Sequence, residues 1–163
     1  MLAVRRMGAR GSVTLIDMSS GMLGVARKRA EAAGLAASMT FEIGDLLRLP
    51  FADDTFDVAL STYSLCPVGD PVKGAREMLR VVRPGGLLGI AHSTDPPGAF
   101  TRSLAHVVES VVWRFPSISL GCRSVEVLPA LEDAGCRVRF RKTIGVPLWP
   151  FVVFVVEKPS GPE

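Results

Sequence analysis

Val13, Leu15 and Ile16 form a bulky apolar run too short for a helix, and Asp17 follows them directly. Such a run predicts a strand that ends in a carboxylate. Ser19 then stands where a side-chain oxygen accepts from the first backbone N–H groups of a helix. The period changes after it. Leu23, Ala26, Ala30 and Ala33 lie three or four residues apart, on one helical face, and Gly34 supplies the stop. Met39–Ile43 reads as a second strand, followed by Gly44-Asp45-Leu46.

Residues 49–57 read as a loop, and Val58-Ala59-Leu60 as a third, buried strand with Ser61-Thr62-Tyr63 at its carboxyl end. Asp70 caps the next helix, with Pro71 at its first position, where a missing N–H costs nothing. Ala75, Met78, Leu79 and Val82 form that helix's buried face, and Pro84-Gly85-Gly86 stops it and turns the chain. Residues 87–91 make a fourth strand, ending in His92-Ser93-Thr94-Asp95. Leu104, Val107, Val108, Val111 and Val112 mark a further amphipathic helix, and residues 124–134 another, distorted at Pro129. Residues 136–144 and 151–157 pattern as a closing hairpin. Residues 2–10 look like the end of a helix stopped by Gly11. This alternation predicts an α/β fold with a mostly parallel sheet and a C-terminal antiparallel hairpin. One domain spans 1–158, and 159–163 form a disordered tail.

Composition narrows the classes. The 163 residues suffice for one core, and a net charge of +3, without basic blocks interleaved with aromatics, excludes a nucleic-acid partner. Hydrophobic residues make up 48% and mean hydropathy is +0.32, yet no apolar run approaches the roughly 20 residues that span a bilayer. Cys66, Cys122 and Cys136 are odd in number and lack C-x-x-C spacing, which reads as buried thiols in a reducing cytoplasm and not as a disulfide framework or zinc site.

Asp17 carries two readings. It is a turn residue, or it is a carboxylate at a strand end, where open α/β sheets bind ligands and where it would accept from a ribose diol. Gly44-Asp45-Leu46, Leu49-Pro50-Phe51, Asp54-x-Phe56-Asp57 and Arg80-Val81-Val82-Arg83-Pro84-Gly85-Gly86 follow at regular intervals. Together these residues resemble the class I S-adenosylmethionine-dependent methyltransferases, and within them the ubiquinone and menaquinone biosynthesis branch. The resemblance runs from Val13 to about Ala91. It implies a Rossmann-like sheet with S-adenosylmethionine as cofactor. By the same resemblance Asp17 holds the ribose hydroxyls and Met18 packs on the adenine. Asp45 takes the adenine amino group with Leu46 beside the ring, and Ser61 and Tyr63 line the methionine moiety and substrate. Plainer readings stand beside these: Met18 and Leu46 as core, Asp45 as a turn residue.

The family's first strand and its glycine-rich loop are expected before Met1, because Gly8 and Gly11 lack that loop's spacing. A sheet without a central strand leaves backbone groups unpaired on both neighbours, at about 1–3 kcal/mol each when buried. Three readings follow: a truncated chain, a sheet completed by a second copy or a partner chain, or a degenerate domain. Chemistry beyond the cofactor points to His92 as a base where the acceptor must lose a proton, or else to an exposed loop histidine. Tyr63 would orient the acceptor, and His106 reads as structural. Phe100, Trp113, Phe115 and Trp149 make residues 96–120 and 145–151 apolar, which favours a small hydrophobic methyl acceptor, a quinone or a membrane-proximal lipid. A nicotinamide-dependent oxidoreductase and a non-catalytic partner subunit are the rival functions.

Overall fold

The computed structural model describes residues 11–96, 98–113, 124–146 and 149–160, which fall into two compact units divided after Pro50. The helix expected over residues 2–10 lies outside the described residues.

In the first unit, strand β1 (Val13–Asp17) leads into helix α1 (Ser20–Ala32), and a short 3-10 turn (Ala36–Ser38) leads into strand β2 (Met39–Ile43). Both ends of α1 are set locally. The Ser19 hydroxyl accepts from the Met22 N–H at 3.2 Å. At the other end Gly34 has a φ of +68°, its N–H donates to the Glu31 carbonyl, and the Leu35 N–H donates to that of Ala30. That left-handed closure satisfies carbonyls the helix would otherwise orphan. Leu23 and Ala30 are buried, as their spacing predicts. β1 and β2 pair in parallel, with Asp17 opposite Ile43.

The second unit holds strand β3 (Phe56–Thr62), helix α2 (Pro71–Val81), strand β4 (Val82–Ser93), helix α3 (Ala99–Trp113), helix α4 (Leu128–Glu132), and strands β5 (Arg137–Val146) and β6 (Trp149–Glu157). The sheet order is β3-β4-β6-β5. β3 and β4 run parallel, while β6 pairs antiparallel with both β4 and β5, so the expected hairpin is present. Register places Ser61 beside Ile90, Ile90 opposite Phe154, and His92 opposite Val152. Residues paired in this way share a face. That face carries buried Leu88, Ile90, His92, Val152, Phe154 and Val156 and, with Ala75, Met78 and Leu79 of α2, makes the unit's core.

Five expectations are corrected. β3 is not a buried strand: Val58 and Leu60 share a face that is left uncovered, at 49% and 65% exposed, and among the described residues β3 pairs only with β4. The helix at 124–134 shrinks to Leu128–Glu132. Pro129 does not distort it but sits in its first turn, where proline has no bond to break. Pro84-Gly85-Gly86 does not separate helix from strand. α2 ends at Val81, and the tripeptide is an excursion inside β4, between the pairs Phe56–Val82 and Val58–Leu87. The loop ends earlier than expected, since β3 already begins at Phe56. Pro159 and Ser160 lie against Gly135 and Gly85, and residues 161–163 lie outside the described residues.

The resemblance motifs are tied together by two cations. Arg80 donates to both carboxylate oxygens of Glu77, to Asp53 at 2.7 Å and to the Phe51 carbonyl at 2.9 Å. The Lys158 ammonium donates to Asp54 at 2.7 Å, to the Val82 carbonyl at 2.7 Å and to the Arg80 carbonyl at 3.2 Å. It thereby caps the C-terminal end of α2 from a residue 76 positions away. Its own backbone pairs with Gly85 and Gly86. Lys158→Met is expected to lower stability by about 1–3 kcal/mol, since the Val82 carbonyl loses the ammonium and the Arg80 carbonyl keeps only the Asp54 N–H. Asp54→Asn should cost less, because Asp54 is half exposed and the ion pair is screened. Urea unfolding of the three proteins measures the order.

Candidate functional site

In the first unit the ends of β1 and β2 carry the two candidate carboxylates. Asp17 Oδ1 accepts from the Ser19 N–H at 2.8 Å, and Asp45 Oδ1 accepts from the Leu47 N–H at 2.8 Å. Both are turn residues, and the turn leaves capacity to spare. An ionised carboxylate has about four acceptor sites, and neither Oδ2 bonds to any described residue. The Gly44 N–H extends the ladder to the Asp17 carbonyl at 3.2 Å, which keeps Asp17 and Asp45 on neighbouring strand ends. Gly44 makes room there for the Ile16 side chain, whose Cδ1 would have to shift to admit a Cβ. Met18 is 69% exposed and so is not core, while Leu46 is half-buried.

The second unit holds Ser61, Tyr63 and His92. The Tyr63 N–H donates to the Ala91 carbonyl at 2.9 Å, extending the β3–β4 ladder past Thr62. Tyr63 has a φ of +59°, left-handed for a residue that carries a Cβ. Such strain costs about 1–3 kcal/mol and persists where surrounding contacts enforce it. Its ring meets Phe151 edge-on at 5.7 Å and is half-exposed.

His92 is not an exposed loop residue. It lies within β4, is 2% exposed, and packs edge-on against Phe154 at 5.9 Å. Its Nδ1 is 2.7 Å from the Ser93 carbonyl. A carbonyl only accepts, so Nδ1 carries the proton and Nε2 keeps its lone pair. Burial pushes the imidazole below its usual pKa, against the weaker opposing pulls of the Ser93 carbonyl and Glu126. Ser61 Oγ, His92 Nε2 and Ser93 Oγ are buried without a partner among the described residues.

Sequence reasoning missed Ser93 and a cleft of about 340 Å³ lined by Thr94, Asp95, Arg102, Glu126, Arg141 and Thr143. Simple alternation along β5 groups Val138 with Phe140 and turns Arg139 and Arg141 the same way. A bulge between Val138 and Phe140 breaks that rule and puts Arg141 opposite Phe154 and Thr143 opposite Val152, on the face that carries His92. No local signal marks the bulge. The side chains of His106, Trp113 and Trp149, and all of Phe115 and Cys122, lie outside the described residues. Phe100 is 80% exposed, and Cys66 and Cys136 are buried free thiols.

Residues 1–90 match a family model described as a methyltransferase domain. A ubiquinone/menaquinone biosynthesis C-methyltransferase of Roseobacter denitrificans is 40% identical over 87 residues, which is 53% of this chain and 35% of that protein. The chain thus spans about a third of that curated relative's length. Among solved structures, the cyclase SpnF superposes with a TM-score of 0.75 at 20% identity, over 98% of this chain and 70% of that one. A geranyl diphosphate methyltransferase in complex with S-adenosylmethionine superposes with a TM-score of 0.72 at 12% identity, over 96% and 73%. At these identities the structural matches speak for the fold, and SpnF illustrates that one fold carries different chemistries.

The His92 geometry fixes the sign of one pH effect. The unfolded chain takes the proton at about 6.5, before the buried ring does. The stability contribution is therefore complete above that value and is lost as pH falls through it toward the lowered folded value. His92→Phe keeps a ring beside Phe154 and removes the titration. Its Tm is expected to fall less than the parent's between about pH 7.5 and about pH 5.5, as scanning calorimetry would record.

Proposed function

The chain belongs to the methyltransferase-domain family, and on that premise we propose that it binds S-adenosylmethionine and methylates a small hydrophobic acceptor that gives up a proton. The observation that carries this reading is the pair of carboxylates on adjacent parallel strand ends, Asp17 and Asp45, each with one oxygen left over from its own turn. That pair of acceptors fits a nucleoside, whose ribose hydroxyls and amino group donate. Asp17 takes the ribose hydroxyls, exposed Met18 offers apolar surface to the base, Asp45 takes the amino group of the adenine, and Leu46 lies beside the ring. When bound, S-adenosylmethionine supplies an electrophilic methyl group on a positively charged sulfur.

What this chain adds is placement and a proton acceptor. His92 is neutral because it is buried, and its Nδ1–H is committed to the Ser93 carbonyl, so Nε2 takes the acceptor's proton. An acceptor of this kind carries a removable proton on its nucleophilic atom, and the name of the Roseobacter relative supports a quinone-type molecule as one such class. Tyr63, held strained with its ring against Phe151, orients the acceptor. A second reading, a chain that completes its sheet with a partner subunit, is supported by the exposed Val58 and Leu60 on the open strand β3.

Titration calorimetry with S-adenosylhomocysteine separates the two. Micromolar affinity, about −8 kcal/mol, is expected for the isolated chain. Asp17→Ala should weaken it at least about tenfold, roughly 1.4 kcal/mol, and Asp45→Asn should also weaken it. A chain folded by circular dichroism that binds no nucleoside alone, yet co-purifies with a co-expressed relative, would replace the first reading with the second.

A further inference from the structure

The cleft at the carboxyl end of β4 is unlike the apolar region expected to shape the acceptor. Its lining is two arginines, two carboxylates and two hydroxyls around about 340 Å³, a volume suited to a small ligand group. Opposite charges lining one cavity ordinarily neutralise each other directly. Here Arg102, Arg141 and Glu126 close no ion pair among the described residues. Three charged side chains thus line a shared space with no ion pair among the described residues.

Sheet register puts this space next to the proposed base. Thr143 is opposite Val152, which is opposite His92, and Arg141 is opposite Phe154, the residue His92 packs on. Thr94 follows His92 by two positions, and its N–H extends the β4–β6 ladder to the Pro150 carbonyl at 3.0 Å. Glu126 follows Val125, whose N–H donates to the Ser93 carbonyl at 3.2 Å.

We propose that this cleft binds a zwitterionic group of the acceptor, an ammonium beside a carboxylate or phosphate. Arg102 and Arg141 present planar N–H forks matched to a carboxylate or phosphate. Glu126 receives the ammonium, and Thr94 and Thr143 fill the remaining hydrogen-bonding positions. A purely anionic group meets Glu126 and Asp95, and a purely cationic one meets two guanidinium groups. Only a ligand that carries both charges satisfies both sides. The assignment of this ligand as the methyl acceptor rests on the function proposed above, but the binding itself does not. The acceptor is then an amphiphile, with its apolar body outside the cleft and its charged end within.

Calorimetry with β-alanine and O-phosphoethanolamine, against propionate and ethanolamine, tests the charge requirement. The two zwitterions are expected to bind at least tenfold more tightly than either single-charge probe. Arg141→Gln and Glu126→Gln, each checked by circular dichroism, should each weaken the zwitterions at least fivefold and leave S-adenosylhomocysteine binding intact. Equal binding of all four probes, or zwitterion binding unchanged in both variants, would overturn the proposal. Sedimentation with phosphatidylethanolamine vesicles, lost in Arg141→Gln, assigns the group to a lipid headgroup. Binding of the free probes without vesicle binding assigns it to a soluble acceptor. Loss of nucleoside binding with zwitterion binding retained would remove the methyl-transfer reading and leave the cleft standing, and the reverse result would do the opposite.

Discussion

The second unit is indexed to a single close approach. A Cβ on Gly86 would lie 2.8 Å from the carbonyl oxygens of both Arg83 and Asp57 and 2.7 Å from Val82 Cγ1, distances that real Cβ atoms do not occupy. Glycine lets β4 leave its ladder after Val82, loop out, and rejoin β3 at Leu87. The rejoining fixes parity: Leu88, Ile90 and His92 face the core, and Gly89, Ala91 and Ser93 face the other way. The excursion also leaves the Gly85 N–H and Gly86 carbonyl available to Lys158, whose ammonium then caps α2. A one-residue shift at this point would exchange the faces of His92 and Ser93 and send the imidazole out of the core.

The features legible in the sequence were those decided within a few residues. Ser19, Gly34 and Asp70 act through bonds to their own neighbours and Pro71 through its fixed φ at the first turn, each where its spacing predicts. Burial is different, since it depends on what lies alongside. Val58 and Leu60 read as core because bulky apolar residues usually are, yet among the described residues their face of β3 is left open. Residues 124–134 have helical periodicity but no N-cap hydrogen bond at Val127, and Pro129 fixes the first turn late, so only the last part closes into a helix.

The candidate site divides the same way. Asp17 and Asp45 are visible because a carboxylate after an apolar run is a local pattern, and the turn uses one oxygen of each group and leaves the other for the ligand role proposed above. His92 was visible as a residue but not as a state. Its burial comes from Phe154, a residue 62 positions later in the chain that only the β4–β6 register brings beside it. The cleft was invisible, because Arg141 joins the face of His92 only through the bulge after Val138.

The distribution of unpartnered polar atoms bears on what the strand ends are for. Ser61, His92 and Ser93 each bury a polar atom with no partner among the described residues, and all three lie on two adjacent strands near their carboxyl ends. At about 1–3 kcal/mol each, such groups are a substantial charge against a domain stability of about 5–15 kcal/mol. Strain at Tyr63 adds to it at the same place. Packing alone gives no reason for a histidine here: Ser93's carbonyl already accepts from the Val125 N–H, and an apolar ring would fill the space beside Phe154 without an orphaned nitrogen. Local rules are broken together where a fold meets a ligand. The coincidence of three orphaned atoms, one strained tyrosine and a charged cleft at one end of one sheet is therefore better explained by chemistry that takes place there than by stability.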